Sequence, residues 1–530
     1  AALATAGRPG HPVVLLYPTG LEFIRSLLGC MYAGVPGVPV QVPRRREGLR
    51  RLRRTADDAG ATLVLTTATV QRELTERFGD LPELAGLTLL ATEALPEREG
   101  TTFTPRRADL RDVALLQYTS GSTGDPKGVM VTHANFLANV AETYDLWPCG
   151  PGDAVVSWLP LFHDMGMVFG IVFPLWAGIP AYLMGPEAFI RRPARWIEAL
   201  SRFGGTHAAS PSFGYELCAR AAQAGDVAGH VDLSRWRVAA NGAEPVRWHT
   251  VRSFVDAFAP MGFAETAMCP GYGLAENTLK VTGSPTDRRP SALFLSAQAL
   301  RQDRVVVDDK DAADTTPVVG CGVTVSDTRV RIVHPLTRMP CPPDQVGEVW
   351  VTGPCVADGY WGRPRETELT FQARLADPAD QDHGRAFLRT GDLGFLRGDE
   401  LYITGRLKDV IIRQGRNYYP QDIELSVERA VGQPHPNCSA AFSIDDGDAE
   451  LLIVAVEADG RVLTELTADG LSDRIRAAVW ADHRLEVDDV VIVRRGSLSR
   501  TSSGKIARRA CRARYQQAAW GTPVSLVREA

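Results

Sequence analysis

The chain has 530 residues, 45% hydrophobic and 23% charged, which supports a large globular core and excludes collagen-like and disordered classes. Its 58 Lys plus Arg against 63 Asp plus Glu leave a net charge of −5, so nothing pulls it as a whole toward nucleic acid or an anionic membrane. At about 150 residues per domain the length suggests two to four domains.

Near the N-terminus, residues 13–16 and 62–66 are short runs rich in branched apolar residues and read as strands. Residues 21–33 form an apolar helical segment ending near Gly34, and 44–59 an Arg-rich helix. Because a strand follows almost immediately on an opening that has neither Met nor a signal pattern, the chain is expected to begin inside a domain. The alternation continues with strands at 110–118, 129–132, 154–158 and 236–240 and helices such as 195–202, predicting an α/β fold with parallel sheets. Segments 305–307, 323–333 and 348–352, joined by Gly and Pro turns, predict a small β subdomain over about 305–400. A Gly-rich break is expected at 390–405. Beyond it, helices at 419–431, 471–481 and 506–514 and strands at 440–443, 451–456 and 490–493 predict a small α+β domain. The acidic run 308–314 reads as a solvated loop. No stretch is long and apolar enough for a membrane span.

Nine scattered Cys include no CxxC, and an odd number cannot all pair internally. Buried free thiols in a reducing, cytoplasmic compartment are expected. Only five of the 58 basic residues are lysine: Lys127, Lys280, Lys310, Lys408 and Lys505. A GC-rich gene favours Arg, so a retained Lys marks a position to locate.

The segment YTSGSTGDPKG (118–128) follows a strand. Gly121, Gly124 and Gly128 let backbone amides face outward, Thr119, Ser120, Ser122 and Thr123 bring hydroxyls, and Lys127 brings a charge. That combination suits phosphate oxygens. It is not a Walker A loop, because Lys127 does not follow Gly124 directly. No second His or Cys stands at metal-ligand spacing from His163, and no GxSxG elbow occurs.

Further strings follow in order: LPLFHDMG (159–166), NGAEPV (241–246), YGLAE (272–276), TGD (390–392), GRLKD (405–409), RNYYPQDIE (416–424) and RTSSGK (500–505). Together with the glycine loop they resemble the adenylate-forming superfamily of acyl-CoA synthetases, peptide-synthetase adenylation domains and luciferase. Within it they resemble the fatty acyl-AMP ligases. The likeness spans nearly the whole chain, except that the family's opening helical and strand section is missing before Val13.

The resemblance implies a large N-terminal part over 1–404, a hinge at 405–409 that includes Lys408, and a small mobile C-terminal domain over 410–530. It implies ATP and Mg²⁺ as cofactors. Lys505 would bridge the substrate carboxylate and the α-phosphate, His163 would place the carboxylate, and Glu276 would coordinate Mg²⁺ together with Thr119. The phosphate loop would comprise Thr119, Ser120, Gly121, Ser122, Thr123, Gly124 and Lys127. Gly242, Ala243 and Glu244, with Asn241 before them, would lie beside adenine, and Tyr272 would pack on it. Asp392 would accept from the ribose hydroxyls, with Arg406 near ribose and phosphate. Met165, Gly166, Met167, Phe169, Ser210, Pro211 and Phe213 would line an acyl tunnel. The Arg residues around Lys505 read as helix solvation or a dock for an acidic carrier.

Three features separate the branches. No Asp stands where amino-acid-activating domains hold an ammonium. The long gap between Glu276 and Gly320 contains FLSAQAL (294–300), resembling the insertion that limits domain rotation in fatty acyl-AMP ligases. RNYYPQDIE is close to that branch's wording. The implied function is fatty acid activation, then transfer to the phosphopantetheine thiol of an acyl carrier protein in trans, possible within polyketide or peptide synthesis. The alternatives are a fatty acyl-CoA synthetase using free coenzyme A and a non-catalytic nucleotide or acyl-adenylate binder.

Overall fold

The computed structural model describes residues 10–95, 107–119, 126–312, 314–413, 415–432, 436–445, 450–458, 467–501 and 504–520. Two six-stranded sheets form the large part. The first, in order β4-β3-β1-β2-β5-β6, contains β1 (Val13–Leu16), β2 (Gly37–Pro39), β3 (Leu63–Thr66), β4 (Thr88–Ala91), β5 (Val113–Thr119) and β6 (Lys127–Thr132). The second, in order β12-β11-β10-β9-β7-β8, contains β7 (Val155–Ser157), β8 (Ala181–Leu183), β9 (His207–Ser210), β10 (Val238–Asn241), β11 (Met268–Gly273) and β12 (Lys280–Gly283). Each is parallel except for one antiparallel edge strand, β6 and β12. Helices connect the parallel neighbours, and strands covered on both faces read as continuous apolar runs, as Val13–Leu16 does.

One hydrophobic cluster joins the two sheets and is rich in aromatic rings. Trp158 stacks on Phe189 at 3.9 Å, and Trp196 meets Trp236 edge-on at 5.2 Å. The helix His133–Leu146 starts with a reciprocal cap: the Thr132 hydroxyl accepts from the Asn135 amide, and Asn135 Oδ1 accepts from the Thr132 amide.

The β region differs in detail from its sequence reading. It begins with the hairpin β13 (Ala292–Ser296) and β14 (Thr315–Val319). It continues as an antiparallel sheet of β15 (Arg329–Val333), β16 (Gly347–Thr352), β17 (Leu388–Arg397) and β18 (Glu400–Arg406). Residues 305–307 form no ladder strand, although Val307 makes an isolated bridge to Leu295, and only the last part of 323–333 is strand. The expected break at 390–405 is instead the β17–β18 hairpin. Its glycines are structural: a Cβ at Gly394 would lie 2.4 Å from the Tyr402 carbonyl oxygen, and Gly391 has φ 71°.

The smaller C-terminal part holds the hairpin β19 (Ile411–Arg413) and β20 (Arg416–Tyr418). Its main sheet is β21 (Ser439–Asp445), β22 (Glu450–Ala458) and β23 (Asp489–Arg494), with the helices Pro420–Val431 and Ala468–His483 packed on it. This completes the two-part α/β architecture. All nine cysteines are free and eight are buried. No described helix is long and apolar enough to cross a membrane. Of the described residues in the 308–314 run, all but the partly covered Ala312 are exposed.

Candidate active site

β10 ends at Asn241, and the chain turns through Gly242 and Ala243. A Cβ at Gly242 would lie 2.8 Å from the Gly271 carbonyl oxygen on neighbouring β11. Ala243 takes φ 67°, a left-handed conformation that costs a non-glycine residue about 1–2 kcal/mol. The turn aims Glu244 at the helix Ser212–Gln223, where its Oε1 accepts from the Phe213 amide at 2.6 Å. Its Oε2 accepts from Asn437 Nδ2 at 3.2 Å. Burial raises the Glu244 carboxyl's pKa, and Arg247 and Lys505 oppose that rise.

On the next strand, the Tyr272 hydroxyl donates to Asp392 Oδ2 at 2.7 Å. Asp392 is held by its own string, since the Thr390 hydroxyl accepts from the Asp392 amide at 3.0 Å and donates to the Val349 carbonyl at 2.7 Å. Asp392 and Arg406 are cross-strand partners in the β17–β18 hairpin, and Arg406 Nε reaches Asp392 Oδ1 at 3.1 Å. The Asp392 charge, then that of Glu276, holds the exposed guanidinium's proton more tightly than usual.

Glu276 sits in the short turn Ala275–Asn277 after β11. The Tyr360 hydroxyl donates to its Oε1 at 2.9 Å. Burial raises the Glu276 pKa, while a backbone hydrogen bond, Arg406 and Tyr360 pull it back. The Lys127 ammonium lies 5.2 Å from the Tyr360 ring centre and pairs with Glu366. Lys127 is also the register partner of Thr119, so the two ends of the glycine loop stand side by side. Ser120, Gly121, Ser122, Thr123 and Gly124 lie outside the described residues.

Lys505 closes a tight loop in which the Thr501 amide donates to the Lys505 carbonyl at 2.8 Å and the Thr501 hydroxyl accepts from the Lys505 amide at 3.2 Å. Burial lowers the ammonium's pKa; Asp164 and Glu244 oppose this, and Arg406 adds to it. His163 Nδ1 lies 2.6 Å from Asp164 Oδ1, which also accepts from the Met165 amide at 2.6 Å. Burial pushes the Asp164 carboxyl up, but the charge and hydrogen bond of His163, with Lys505, leave it lowered. Behind them, Met165–Val172 forms a buried π-helical segment, and Phe213 meets Trp158 edge-on at 5.8 Å.

The fold therefore brings Lys505 within electrostatic reach of Asp164, Glu244, Asp392 and Arg406, with His163 on Asp164, Tyr272 on Asp392 and Glu276 acting on Arg406. Sequence reading assigned no role to Asp164, Tyr360, Glu366 or Arg247. Asp164 had a visible signal in its adjacency to His163. The others lie outside the catalytic roles read from the strings. Among the described residues no cluster of three or more His, Cys, Asp or Glu is poised to hold a metal ion.

The segment resembling an insertion also touches the small part. Asn417 Nδ2 donates to Asp303 at 3.0 Å, and the Arg301 guanidinium lies 5.3 Å from the Tyr418 ring centre.

Comparison with known proteins identifies the family. Residues 1–361 match the family described as AMP-binding enzyme, and residues 408–522 match the Disco-interacting protein 2-like AMP domain. The medium-chain-fatty-acid–[acyl-carrier-protein] ligase JamA of Moorena producens is 42% identical over 508 residues, covering 95% of this chain and 85% of its own. The long-chain-fatty-acid–AMP ligase FadD32 of Mycolicibacterium smegmatis is 35% identical, covering 97% of this chain and 86% of its own. The crystal structure of a fatty acid AMP ligase from Legionella pneumophila superposes with a TM-score of 0.74 at 36% identity, covering 98% of this chain and 89% of that one. The chain belongs to the AMP-binding, adenylate-forming enzymes, within their fatty acyl-AMP ligase branch.

Proposed function

We propose that the protein activates a fatty acid as its acyl-adenylate and passes the acyl group to the phosphopantetheine thiol of an acyl carrier protein supplied in trans. The observation that carries this reading is the convergence of Lys505 with Asp164 and Glu244 beside the Tyr272–Asp392–Arg406 group. In the first step a carboxylate oxygen attacks the ATP α-phosphorus. A new P–O bond forms, the α–β anhydride bond breaks, and pyrophosphate leaves. Both reactants are anions, so fixed positive charge lowers the barrier. The Lys505 ammonium is a compact charge with three donors, suited to reach carboxylate and α-phosphate oxygens together. His163 positions the carboxylate, with Asp164 orienting its ring. Tyr272 packs on adenine beside Gly242, Ala243 and Glu244, and Asp392 accepts from the ribose hydroxyls. The phosphate loop, with Thr119 and Lys127, takes the terminal phosphates.

Glu276 and Thr119 would hold Mg²⁺. A half-buried carboxylate with one oxygen tied to Tyr360 suits a hard cation. Bound there, the ion supplies charge neutralisation to the leaving pyrophosphate.

Residues 405–409 act as the hinge between a large part over 1–404 and a small domain over 410–530. In the second step a thiolate attacks the acyl carbonyl carbon and AMP leaves. Carrier protein is favoured over free coenzyme A by the contacts of Arg301 and Asp303 with β20, which tether the small part near the hinge. The names of the relatives, an acyl-carrier-protein ligase among them, support the same choice. The enzyme would work in the cytoplasm.

Pyrophosphate release with ATP and a fatty-acid series tests the first step; its absence with every chain length rejects the reading. Offering the acyl-adenylate to carrier protein and to coenzyme A tests the second. Equal rates with coenzyme A favour an acyl-CoA synthetase instead.

A further inference from the structure

The small part grips the large one next to the reaction centre through very few polar groups. Arg247, three residues beyond Glu244, donates to Glu428 Oε2 at 2.7 Å on the helix Pro420–Val431. The two side chains are only 18% and 12% exposed. The second guanidinium nitrogen reaches Asn437 Oδ1 at 3.4 Å, and Asn437 Nδ2 donates to Glu244. Asn437 holds φ 59°, and its carbonyl accepts from Arg500 at 2.8 Å. Arg500 opens the RTSSGK string and pairs with Glu457 at 3.1 Å. A continuous polar chain thus runs from the Phe213 amide through Glu244 and Asn437 to Arg500, five residues before Lys505.

We propose that Arg247, Glu428 and Asn437 form a latch that holds the small domain in the arrangement with Lys505 inserted, and that it must open before acyl transfer. The proposal rests on the two-step reading above and names the residues that time it. All three are positioning residues that act through Lys505.

Two observations favour a contact made to be broken. Its members are polar, so parting them returns charges to water, whereas an apolar interface would resist opening. The pair is also under-satisfied, because Glu428 Oε1 is buried without a hydrogen-bond partner among the described residues. An unpaired buried acceptor subtracts from the closed state, leaving a latch that competing contacts can overcome.

The test separates the half-reactions in Arg247→Met, Glu428→Gln, Asn437→Ala and the double variant Arg247→Met/Glu428→Gln. ATP–pyrophosphate exchange reports the first step, and acyl transfer from supplied acyl-adenylate reports the second. Each single variant should lower the exchange kcat about tenfold, the scale of one charged hydrogen bond. The KM for ATP should hold, and transfer should proceed at or above the wild-type rate. The double variant should be no worse than the poorer single one, because both remove one contact, and Arg247→Lys should recover part of the exchange. Unchanged exchange, additive losses, or equal decline of both half-reactions overturns the latch. Asn437→Ala removes a neutral side chain and leaves the Arg247–Glu428 pair in place, so its outcome stands if the charge variants misfold. Wild-type protein that performs neither half-reaction rejects the two-step reading itself.

Discussion

Asp164 and Lys505, 341 positions apart in the chain, act on each other's charge inside one site. Lys505→Ala removes the ammonium that bridges carboxylate and α-phosphate in the proposed mechanism. It should cut pyrophosphate exchange by at least about 10²-fold, the scale of one lost transition-state contact. Near-normal exchange would remove Lys505 from the mechanism.

The same pair fixes a pH response. Burial holds the Lys505 pKa below the ordinary lysine value, and Asp164 and Glu244 oppose that shift. Activity that needs the ammonium is lost as pH rises through this lowered pKa. Asp164→Asn removes a raising charge, so the pKa falls further and the basic limb of the exchange profile moves to lower pH. A limb that stays in place or moves up contradicts the coupling.

Tyr360 makes an analogous prediction on the acid side. Its hydroxyl donates to the charged form of Glu276 and lowers a pKa that burial raises. Tyr360→Phe therefore lets the Glu276 pKa climb. The acid limb of exchange should move to higher pH, with more Mg²⁺ needed at neutral pH. The measurement is exchange rate against pH at several Mg²⁺ concentrations, and an unshifted limb rejects the assignment.

Lys280, to which the sequence assigned no role, has a structural one. Its side chain is buried on β12, its ammonium finds no hydrogen-bond partner, and it feels the charge of Glu142, which is 2% exposed. Glu142 accepts from the Thr328 hydroxyl at 2.9 Å. Lys280→Met removes the charge that offsets Glu142's burial and should destabilise by about 0.5–3 kcal/mol, the range of an ordinary core substitution. Thermal unfolding reads the loss, and exchange at low temperature should stay near wild type. Unchanged unfolding would show that the pair contributes nothing.

The lysines also show how much was legible beforehand. Lys127 and Lys505 stood inside short strings whose chemistry is local, so the sequence marked them as site candidates. Tyr272, Asp392 and Arg406 were equally readable, and the hairpin register brings two of them together. Tyr360, Arg247 and Glu428 matter through contacts that span 84 and 181 positions, which a local pattern does not encode. The β17–β18 hairpin was misread as a break because glycines that allow close strand approach look the same, in sequence, as glycines in a loop. Residues 305–307 erred the other way: β-branched residues favour strands, but the segment meets β13 only in an isolated bridge between Val307 and Leu295.

The Asp392–Arg406 pairing has a mechanical consequence. Arg406 is the last residue of β18, and the proposed hinge lies at that strand's end. Only one cross-strand step separates the carboxylate assigned to ribose from the pivot, with no loop between them to absorb motion. The cargo seat and the axle bearing are thus one piece of sheet. On the proposed hinge, rotation of the small domain would react directly against the bound nucleotide, so a tightly seated adenylate would give the turn a firm mount and an empty seat a loose one.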